Sequence, residues 1–245
     1  MSTHIPHPEL VLCIPGPWKS YKALGAAVAA LDAGYVTFGL VLMDTVSGFG
    51  CDIQLEKRDK RMQGAFSAAG AHWQGTPAMQ AVGKHASVVY LIGYGGTPAN
   101  VDAMMKAAAT LVKAGGLGVK VESSGIAHAP DEWLRLCDYL HRFAAHRAMV
   151  VFVTGMETYS CGMHCFGLKD AITAEANSVE LLRAFTHYLL TEAPEVRDGQ
   201  TFAVSEDAPV YLVRAHPGVQ YDEGSLFANP YGAWYLVPRA AAALH

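Results

Sequence analysis

The chain has 245 residues, of which 16% are charged and 51% hydrophobic, and its formal net charge is −4 at pH 7. This length suits one large domain or two small ones with a substantial core. No basic run marks a nucleic-acid-binding surface, and no apolar stretch reaches the ~20 residues that a transmembrane helix needs. We therefore expect neither nucleic acid nor a membrane as a partner.

The cysteines and the N-terminal sequence both bear on the cellular compartment. The five cysteines have no regular CxxC spacing, which favours reduced thiols over a disulfide framework. The first residues, MSTHIPHPEL, have neither the basic nor the apolar segment of a secretory signal. We therefore expect a cytoplasmic protein.

The first part of the chain predicts the order strand, helix, strand, strand, helix, strand. The predicted bounds are 9–14, 21–31, 35–43, 52–56, 61–71 and 85–92. A Ser-Gly-Phe-Gly loop joins the second and third strands as a hairpin. This βαββαβ order is that of a ferredoxin-like unit.

A glycine-containing loop, Gly93 to Gly96, lies between a predicted strand and a predicted helix, where backbone N–H groups can attract phosphate. A dinucleotide fingerprint would need Gly where Pro98 stands, and a Walker loop would need Gly-Lys-Ser/Thr. The alternative is that Thr97 is the N-cap and Pro98 the first residue of an ordinary helix. Whether the loop binds an anion stays open at this point.

The second part of the chain alternates helices with short strands. The predicted strands cover 117–121, 149–153, 201–205, 210–213 and 233–237. One predicted helix begins at Asp131, with apolar residues at helical spacing as far as Ala144 and with His141 and His146 on its solvated side. Another predicted helix is capped by Asn177 or Ser178. We predict an α+β fold with mixed, largely antiparallel sheets and packed helices. The runs 88–92 and 149–153 are apolar on successive residues, which predicts two central strands.

The sequence contains no linker of low complexity. We predict a single compact domain over residues 1–245, with 1–95 and 96–238 as its two halves if it divides. Residues 239–245 are predicted to be a mobile tail.

Cys161, His164 and Cys165 form the densest cluster of reactive side chains in the sequence. On a strand, alternation would place the two thiols on one face and His164 on the other. On a helix, the three would lie together as metal ligands, but Gly162 and Gly167 oppose a helix. We expect the thiols to pack in the core, and we predict no metal site and no cofactor.

A second polar group, Glu122, Ser123, Ser124 and His128, follows the strand at 117–121. A carboxylate, a hydroxyl and an imidazole suit an acid, a nucleophile and a base. The alternative is a simple turn at Ser123 and Ser124 with a solvated Glu122.

Candidate binding residues are mostly aromatic, because tyrosine and tryptophan are enriched at interface hot spots. They are Tyr159, Ser160, Tyr221, Phe227 and Tyr231. Trp234 lies in an apolar strand and is expected in the core.

Three stretches resemble the bacterial family numbered 4261 among the domains of unknown function. They are LGVKVESSGIAHAPDEW, YSCGMHCFGLKDA and LLRAFTHYLLTEAPEVRDGQTFAV, with the motifs Gly-Met-x-x-Phe-Gly-Leu at 162–168 and Asp-Gly-Gln-Thr at 198–201. The resemblance covers the second half well and the first half loosely. It implies a cytosolic immunity or accessory protein of a toxin or secretion system, such as type VI secretion, and it supplies no catalytic residues.

Three functions follow from these observations. The first is a non-enzymatic protein-binding protein whose acidic charge suits a basic toxin as partner. The second is a hydrolase or transferase with Cys161 or Ser124 as nucleophile and His164 or His128 as base. The third is a metal-binding protein that uses Cys161, His164 and Cys165.

Overall fold

The computed structural model describes residues 7–175 and 178–239, and these residues form two β-sheets with helices packed on them. Neighbouring strands are antiparallel except for one pair in the second sheet. The predicted α+β class with largely antiparallel sheets is therefore confirmed.

The first sheet and its helices come from the first half of the chain. The described strands are β1 (Glu9–Gly16), β2 (Tyr35–Phe38), β3 (Val41–Asp44), β4 (Gly50–Lys57), β5 (Ser87–Tyr94), β6 (Val119–Val121) and β7 (Ile126–His128). The helices are α1 (Tyr21–Ala29), α2 (Met62–Ala69), α3 (Pro77–Val82) and α4 (Pro98–Lys113), with a 3-10 turn at Ala71–Trp73. The strand order is β2-β3-β4-β5-β1-β6-β7.

A ferredoxin-like order is present, but different elements build it from those predicted. The strands β4, β5, β1 and β6 lie side by side in the order 2-3-1-4, with α1 and α4 as the connecting helices. The predicted strand at 35–43 is split, because Gly39 has a φ of 60° and turns the chain between β2 and β3. The predicted fourth strand, 85–92, is β5, and it lies between β1 and β4 as the third strand of the unit. The fourth strand is β6.

The two faces of the first sheet belong to different clusters of buried side chains. Leu12 of β1 packs with Leu24 of α1 and Met104 of α4 in the larger cluster. Cys13, the next residue, packs with Phe66 of α2 in the smaller cluster. Successive side chains of a strand point to opposite faces, so α1 and α4 cover one face and α2 and α3 the other.

The second sheet is built from the second half of the chain. The described strands are β8 (Val151–Thr154), β9 (Thr158–Cys161), β10 (Asp170–Thr173), β11 (Thr201–Phe202), β12 (Tyr211–His216) and β13 (Ala233–Pro238). The helices are α5 (Pro130–Asp138), α6 (Arg142–Met149) and α7 (Val179–Thr191), with a 3-10 turn at Met163–Phe166. The order is β11-β12-β13-β10-β9-β8, and β10 and β13 are parallel.

One of the two predicted central strands is wrong. Strand β5 is central, but β8 is the outer strand of the second sheet. Met149 and Val150 belong to the end of α6 and are buried there, whereas the side chain of Val153 is exposed. A short apolar run does not distinguish a buried strand from the end of a buried helix.

The single helix predicted from Asp131 to Ala144 is also wrong, because the chain leaves the helical conformation at Tyr139. The ring of His141 then accepts a hydrogen bond of 3.4 Å from the backbone N–H of Ala144, which caps α6. His146, which the helical spacing places on the solvated side, is buried instead.

Side chains from both sheets share the larger cluster, which includes Leu12, Met105 and Trp234. The first sheet extends to residue 128 and the second begins at 151, so a division at residue 95 would cut the first sheet. The number of domains stays a prediction. Of the predicted tail at 239–245, only Arg239 lies within the described residues, and its backbone N–H donates a hydrogen bond to Val210. No helix in the described ranges is long and apolar enough to cross a membrane.

Candidate functional site

Asp170 lies at the centre of a buried polar cluster at the start of β10. Its Oδ1 atom accepts hydrogen bonds from the Ser160 hydroxyl at 2.9 Å and from the backbone N–H of Met163 at 3.2 Å. Its Oδ2 atom accepts a hydrogen bond of 2.7 Å from the side-chain amide of Asn229. One carboxylate therefore joins β9, β10 and the loop before β13.

Burial raises the pKa of Asp170 to about 6, although its three hydrogen bonds favour the charged form. The neighbouring Lys169 does not neutralise it. The Lys169 ammonium donates a hydrogen bond to the backbone carbonyl of Tyr231 and lies 5.2 Å from the centroid of the Trp234 ring. Hydrogen bonds, rather than Lys169, therefore stabilise this carboxylate.

A cavity of about 10 Å³ adjoins the cluster and is lined by Cys161, Tyr221 and Phe227 together with Ser160 and Asp170. A cavity needs roughly this volume to hold one water molecule. It is too small to admit a substrate. The cluster is therefore a structural network in this conformation.

Cys161, a predicted nucleophile, is buried at the end of β9. Its thiol lies 4.0 Å from the carbonyl oxygen of Ser123 and 3.9 Å from that of Phe227. Burial raises the pKa of the Cys161 thiol to about 12. Because the thiolate is the reactive form, this environment keeps Cys161 unreactive.

His164 lies in a 3-10 turn and not on a continuing strand. Gly162 has a φ of 123° and ends β9, so the predicted alternation of Cys161 and Cys165 with His164 is wrong. The imidazole of His164 is buried, and burial lowers its pKa to about 4. The nearby backbone of Leu226 favours the protonated ring, yet neither ring nitrogen has a partner in hydrogen-bonding geometry among the described atoms. No base is thus aimed at the thiol.

Ser124 and His128 are not arranged as a nucleophile and its base. The hydroxyl of Ser124 is buried without a hydrogen-bond partner in the described chain. The Nε2–H group of His128 donates a hydrogen bond of 3.0 Å to the carbonyl of Ala148, and the ring lies 5.6 Å from that of Trp133. Burial lowers the pKa of His128 to about 4. This imidazole is a neutral core residue.

Glu122 lies on the other face of the first sheet from Ser123. It forms an ion pair with Lys120. Lys120 lies opposite Cys13 on the neighbouring strand β1, and the side chain of Cys13 belongs to the smaller cluster, so this ion pair lies on the face of that cluster. The Ser123 hydroxyl instead donates a hydrogen bond of 3.2 Å to the carbonyl of Glu9. Glu122 is therefore neither freely solvated nor near the other catalytic candidates.

The segments 122–128 and 159–164, which carry the catalytic candidates Ser124, His128, Cys161 and His164, contact each other directly and leave no cleft at Gly162. A Cβ atom added at Gly162 would lie 2.3 Å from the carbonyl oxygen of Met149 and 3.1 Å from the Cβ atom of Ser124. Only glycine fits such an approach. The first glycine of the Gly-Met-x-x-Phe-Gly-Leu motif therefore has a structural explanation.

The predicted binding residues are partly or fully buried. Ser160 belongs to the Asp170 cluster, and Tyr159, Tyr221 and Tyr231 are half-buried. The rings of Tyr221 and Phe227 lie 5.8 Å apart, and burial raises the pKa of Tyr221. These side chains hold the loop before β13 against the second sheet, which leaves little of their surface for a partner.

The backbone N–H groups of the Gly93 to Gly96 loop serve the fold instead of an anion. Gly95 donates a hydrogen bond of 2.8 Å to the carbonyl of Pro8, and Gly96 donates one of 2.8 Å to that of Cys165. Thr97 accepts a hydrogen bond from the Asn100 backbone N–H and caps α4, as predicted. The loop therefore connects the first sheet to the turn that follows β9.

No group of three or more His, Cys, Asp or Glu side chains in residues 7–175 and 178–239 is placed to hold a metal ion. Cys161, His164 and Cys165 therefore do not converge as ligands. The expectation of no metal and no cofactor stays a prediction.

An apolar surface that the sequence did not single out is exposed on the β2–β3 hairpin. The side chains of Phe38 and Leu40 are 80% and 58% exposed, and those of Val36 and Met43 are exposed to a smaller extent. Val36 and Met43 are cross-strand partners and share one face of the sheet. We call Val36, Phe38, Leu40 and Met43 the hairpin surface.

The other face of this hairpin is covered. Leu42 is fully buried in the larger cluster, and Thr37 lies beside Gly25 of α1. Because β2 is the outer strand, one edge of its backbone also has no partner strand among the described residues. The sequence of this hairpin has apolar residues on both faces of its strands. In the structure α1 covers only one of these faces, and the other is exposed.

Comparisons with protein-family models, with curated proteins and with solved structures found no match to this chain.

Proposed function

We propose that this protein acts by binding another protein through the hairpin surface. The observation that carries the proposal is the exposure of Phe38 and Leu40 on an outer strand whose apolar face no described element covers. Exposed apolar patches of this kind mark interaction sites, and open strand edges invite pairing.

The charge next to this surface favours a basic partner. Asp52, which is exposed, pairs with Val41 and so lies on the same face as the hairpin surface. The whole chain carries a net charge of −4. Complementary charge speeds association and disfavours wrong partners. The resemblance to family 4261 adds that the partner is a toxin or a secretion-system component, and that this protein is its cytoplasmic immunity or accessory protein.

The two alternative functions gain no support from the geometry. Cys161 and Ser124 are buried without an oriented base, and the candidate metal ligands do not converge. Binding therefore remains the best supported function.

The test is a binding measurement with the purified products of the neighbouring genes. We expect the wild type to bind one of them and the double variant Phe38→Ser/Leu40→Ser to bind about thirtyfold or more weakly, which corresponds to a loss of about 1 kcal/mol for each of the two side chains. Tyr139→Ser is the matched control, because Tyr139 is 75% exposed between α5 and α6. This control is expected to bind like the wild type.

Two results would contradict the proposal. One is equal binding by the wild type and the Phe38/Leu40 variant. The other is a wild-type dimer that becomes a monomer in this variant, which would assign the hairpin surface to self-association. If a partner is found and it is a toxin, co-expression should rescue growth of cells that produce it, and the double variant should fail to rescue.

A further inference from the structure

A second candidate site, independent of the hairpin surface, lies between α6, α7 and β8. This cavity has a volume of about 590 Å³, which falls in the range of roughly 300–1,000 Å³ that small-molecule sites occupy. It is distant in sequence from every residue of the hairpin surface. The residues that line it suit a small-molecule ligand, and this ligand does not depend on the proposed protein partner.

Aromatic rings form a continuous wall of this cavity. The Phe143 ring meets the His187 ring edge to face at 4.8 Å between centroids, and the His187 ring meets that of His146 at 4.1 Å. The His146 ring lies 6.1 Å from that of Phe152. Phe143 is 52% exposed, so the wall is open at this end to a planar molecule.

The imidazole of His146 is held by a hydrogen bond, and the pKa values of both imidazoles of this wall lie below the usual histidine value. The Nε2–H group of His146 donates a hydrogen bond of 2.9 Å to the Thr186 hydroxyl, which itself donates to the carbonyl of Leu182. Burial lowers the pKa of His146 to about 3, and burial followed by the charge of Arg183 lowers that of His187. The rings therefore offer stacking faces, and positive charge at this site comes from arginine.

Arg183 supplies that charge from α7. Its guanidinium carbon lies 5.4 Å from the centroid of the Phe152 ring, at the wall of the cavity. Its ion-pair partner Glu180 has a side chain that is 80% exposed, and such exposed pairs contribute little. An anion in the cavity can therefore displace Glu180 at small cost. Arg147 also lines the cavity. Its ion-pair partner Glu132 forms a second ion pair with Arg135, so one carboxylate serves two guanidinium groups and the positive charge of Arg147 is only partly balanced.

We propose that this cavity binds a small planar aromatic anion. Its ring would lie against Phe143 and His187, and its carboxylate, phosphate or sulfonate would pair with the guanidinium of Arg183. A guanidinium in an aromatic setting suits such a group, because it presents several N–H donors in one plane.

The test uses two fluorescent probes with the same ring system. One is 1-anilinonaphthalene-8-sulfonate, an aromatic anion with a planar naphthalene ring, and the other is N-phenyl-1-naphthylamine, which lacks the sulfonate. We expect Arg183→Gln to weaken binding of the anionic probe about tenfold while binding of the uncharged probe changes less than twofold. Arg214→Gln, which removes an exposed arginine from β12, is the matched control and should change neither.

Phe143→Ala is expected to weaken both probes, since it removes the open ring of the wall. Circular dichroism and thermal unfolding verify that each variant is folded, and the partly exposed positions of Arg183 and Phe143 favour this. The proposal is overturned if Arg183→Gln and the wild type bind the anionic probe equally. It is also overturned if Phe38→Ser abolishes that binding, because the probe would then report the hairpin surface.

Discussion

The hydroxyl of Ser160 donates a hydrogen bond of 2.9 Å to the carboxylate of Asp170, and the same hydroxyl accepts one of 2.9 Å from the backbone N–H of Ala171. This relationship joins β9 to the start of β10 through two side chains that are buried. A carboxylate in that position should make the stability of the fold depend on pH.

We predict that unfolding measured against pH will show the titration of Asp170. Burial raises its pKa from 3.8 to about 6 in the folded protein, so the folded state binds the proton more tightly than the unfolded state. The resulting stabilisation is complete below about pH 4 and is lost as the pH rises through about 6. From pH 4 to pH 7 the loss is about 2 kcal/mol.

The measurement is urea unfolding of the wild type and Asp170→Asn at both pH values. Asparagine does not titrate, so its unfolding free energy should gain about 2 kcal/mol relative to the wild type between pH 4 and pH 7. A constant penalty from the altered contact with Asn229 cancels in this comparison. An identical difference at pH 4 and pH 7 would refute the assignment.

A second prediction concerns the two motif glycines beside the 3-10 turn. A Cβ atom at Gly167 would lie 2.3 Å from the carbonyl oxygen of Gly96, and φ at Gly167 is 78°. We expect Gly167→Ala or Gly162→Ala to lower the unfolding free energy by about 3 kcal/mol, because overpacking adds to the cost of a left-handed backbone.

Gly64 provides the control for this experiment. It lies inside α2, and an added Cβ atom would meet nothing within 4 Å. Alanine at this position should therefore stabilise the protein by about 0.5–1 kcal/mol. Equal effects at positions 64 and 167, measured by chemical denaturation, would show that the close approach to Gly96 is not important.

A third prediction separates the hairpin surface from the core. Phe38 is 80% exposed, whereas Phe66 is fully buried in the smaller cluster. We expect Phe38→Ala to change the unfolding free energy by less than about 0.5 kcal/mol, and Phe66→Ala to lower it by about 3–5 kcal/mol. Thermal unfolding scans measure both. A large loss with Phe38→Ala would mean that Phe38 stabilises the fold and is not free for a partner.

A fourth prediction concerns the thiols. Burial raises the pKa of Cys51, Cys137 and Cys161 to about 12. Their alkylation by iodoacetamide in the folded protein near neutral pH should therefore be at least about 100-fold slower than that of a free thiol. All five cysteines should react in denaturant, as peptide mass spectrometry will show. Rapid labelling of Cys161 in the folded state would restore the nucleophile hypothesis.

The sequence predicted correctly those helices and strands that are determined by residues close together in the chain. The start of α4 follows from the capping side chain of Thr97 and the fixed φ of Pro98, and both act within one helical turn. The run of successive apolar residues at 88–92 predicts a strand that is covered on both faces, and the side chains of β5 do belong to both clusters. In these cases the chemistry of a residue and its neighbours in sequence is sufficient.

Other features depend on residues that are distant in sequence. Asp170 and Asn229 are 59 residues apart, so no local pattern links them. The exposure of Phe38 depends on which face of the hairpin α1 covers, and an apolar residue does not reveal what covers it. For the same reason the apolar run 149–153 predicted a central strand where the structure has the end of α6 and the outer strand β8.

Strand β13 occupies an interior place in the second sheet, between β10 and β12, although it is the last described strand along the chain. During synthesis, at about 5–20 residues per second, β8, β9 and β10 emerge seconds before Ala233–Pro238. Without β13, the strands β8, β9 and β10 have no described strand that joins them to β11 and β12. A ribosomal pause ahead of β13 would therefore prolong the interval in which chaperones can engage these strands.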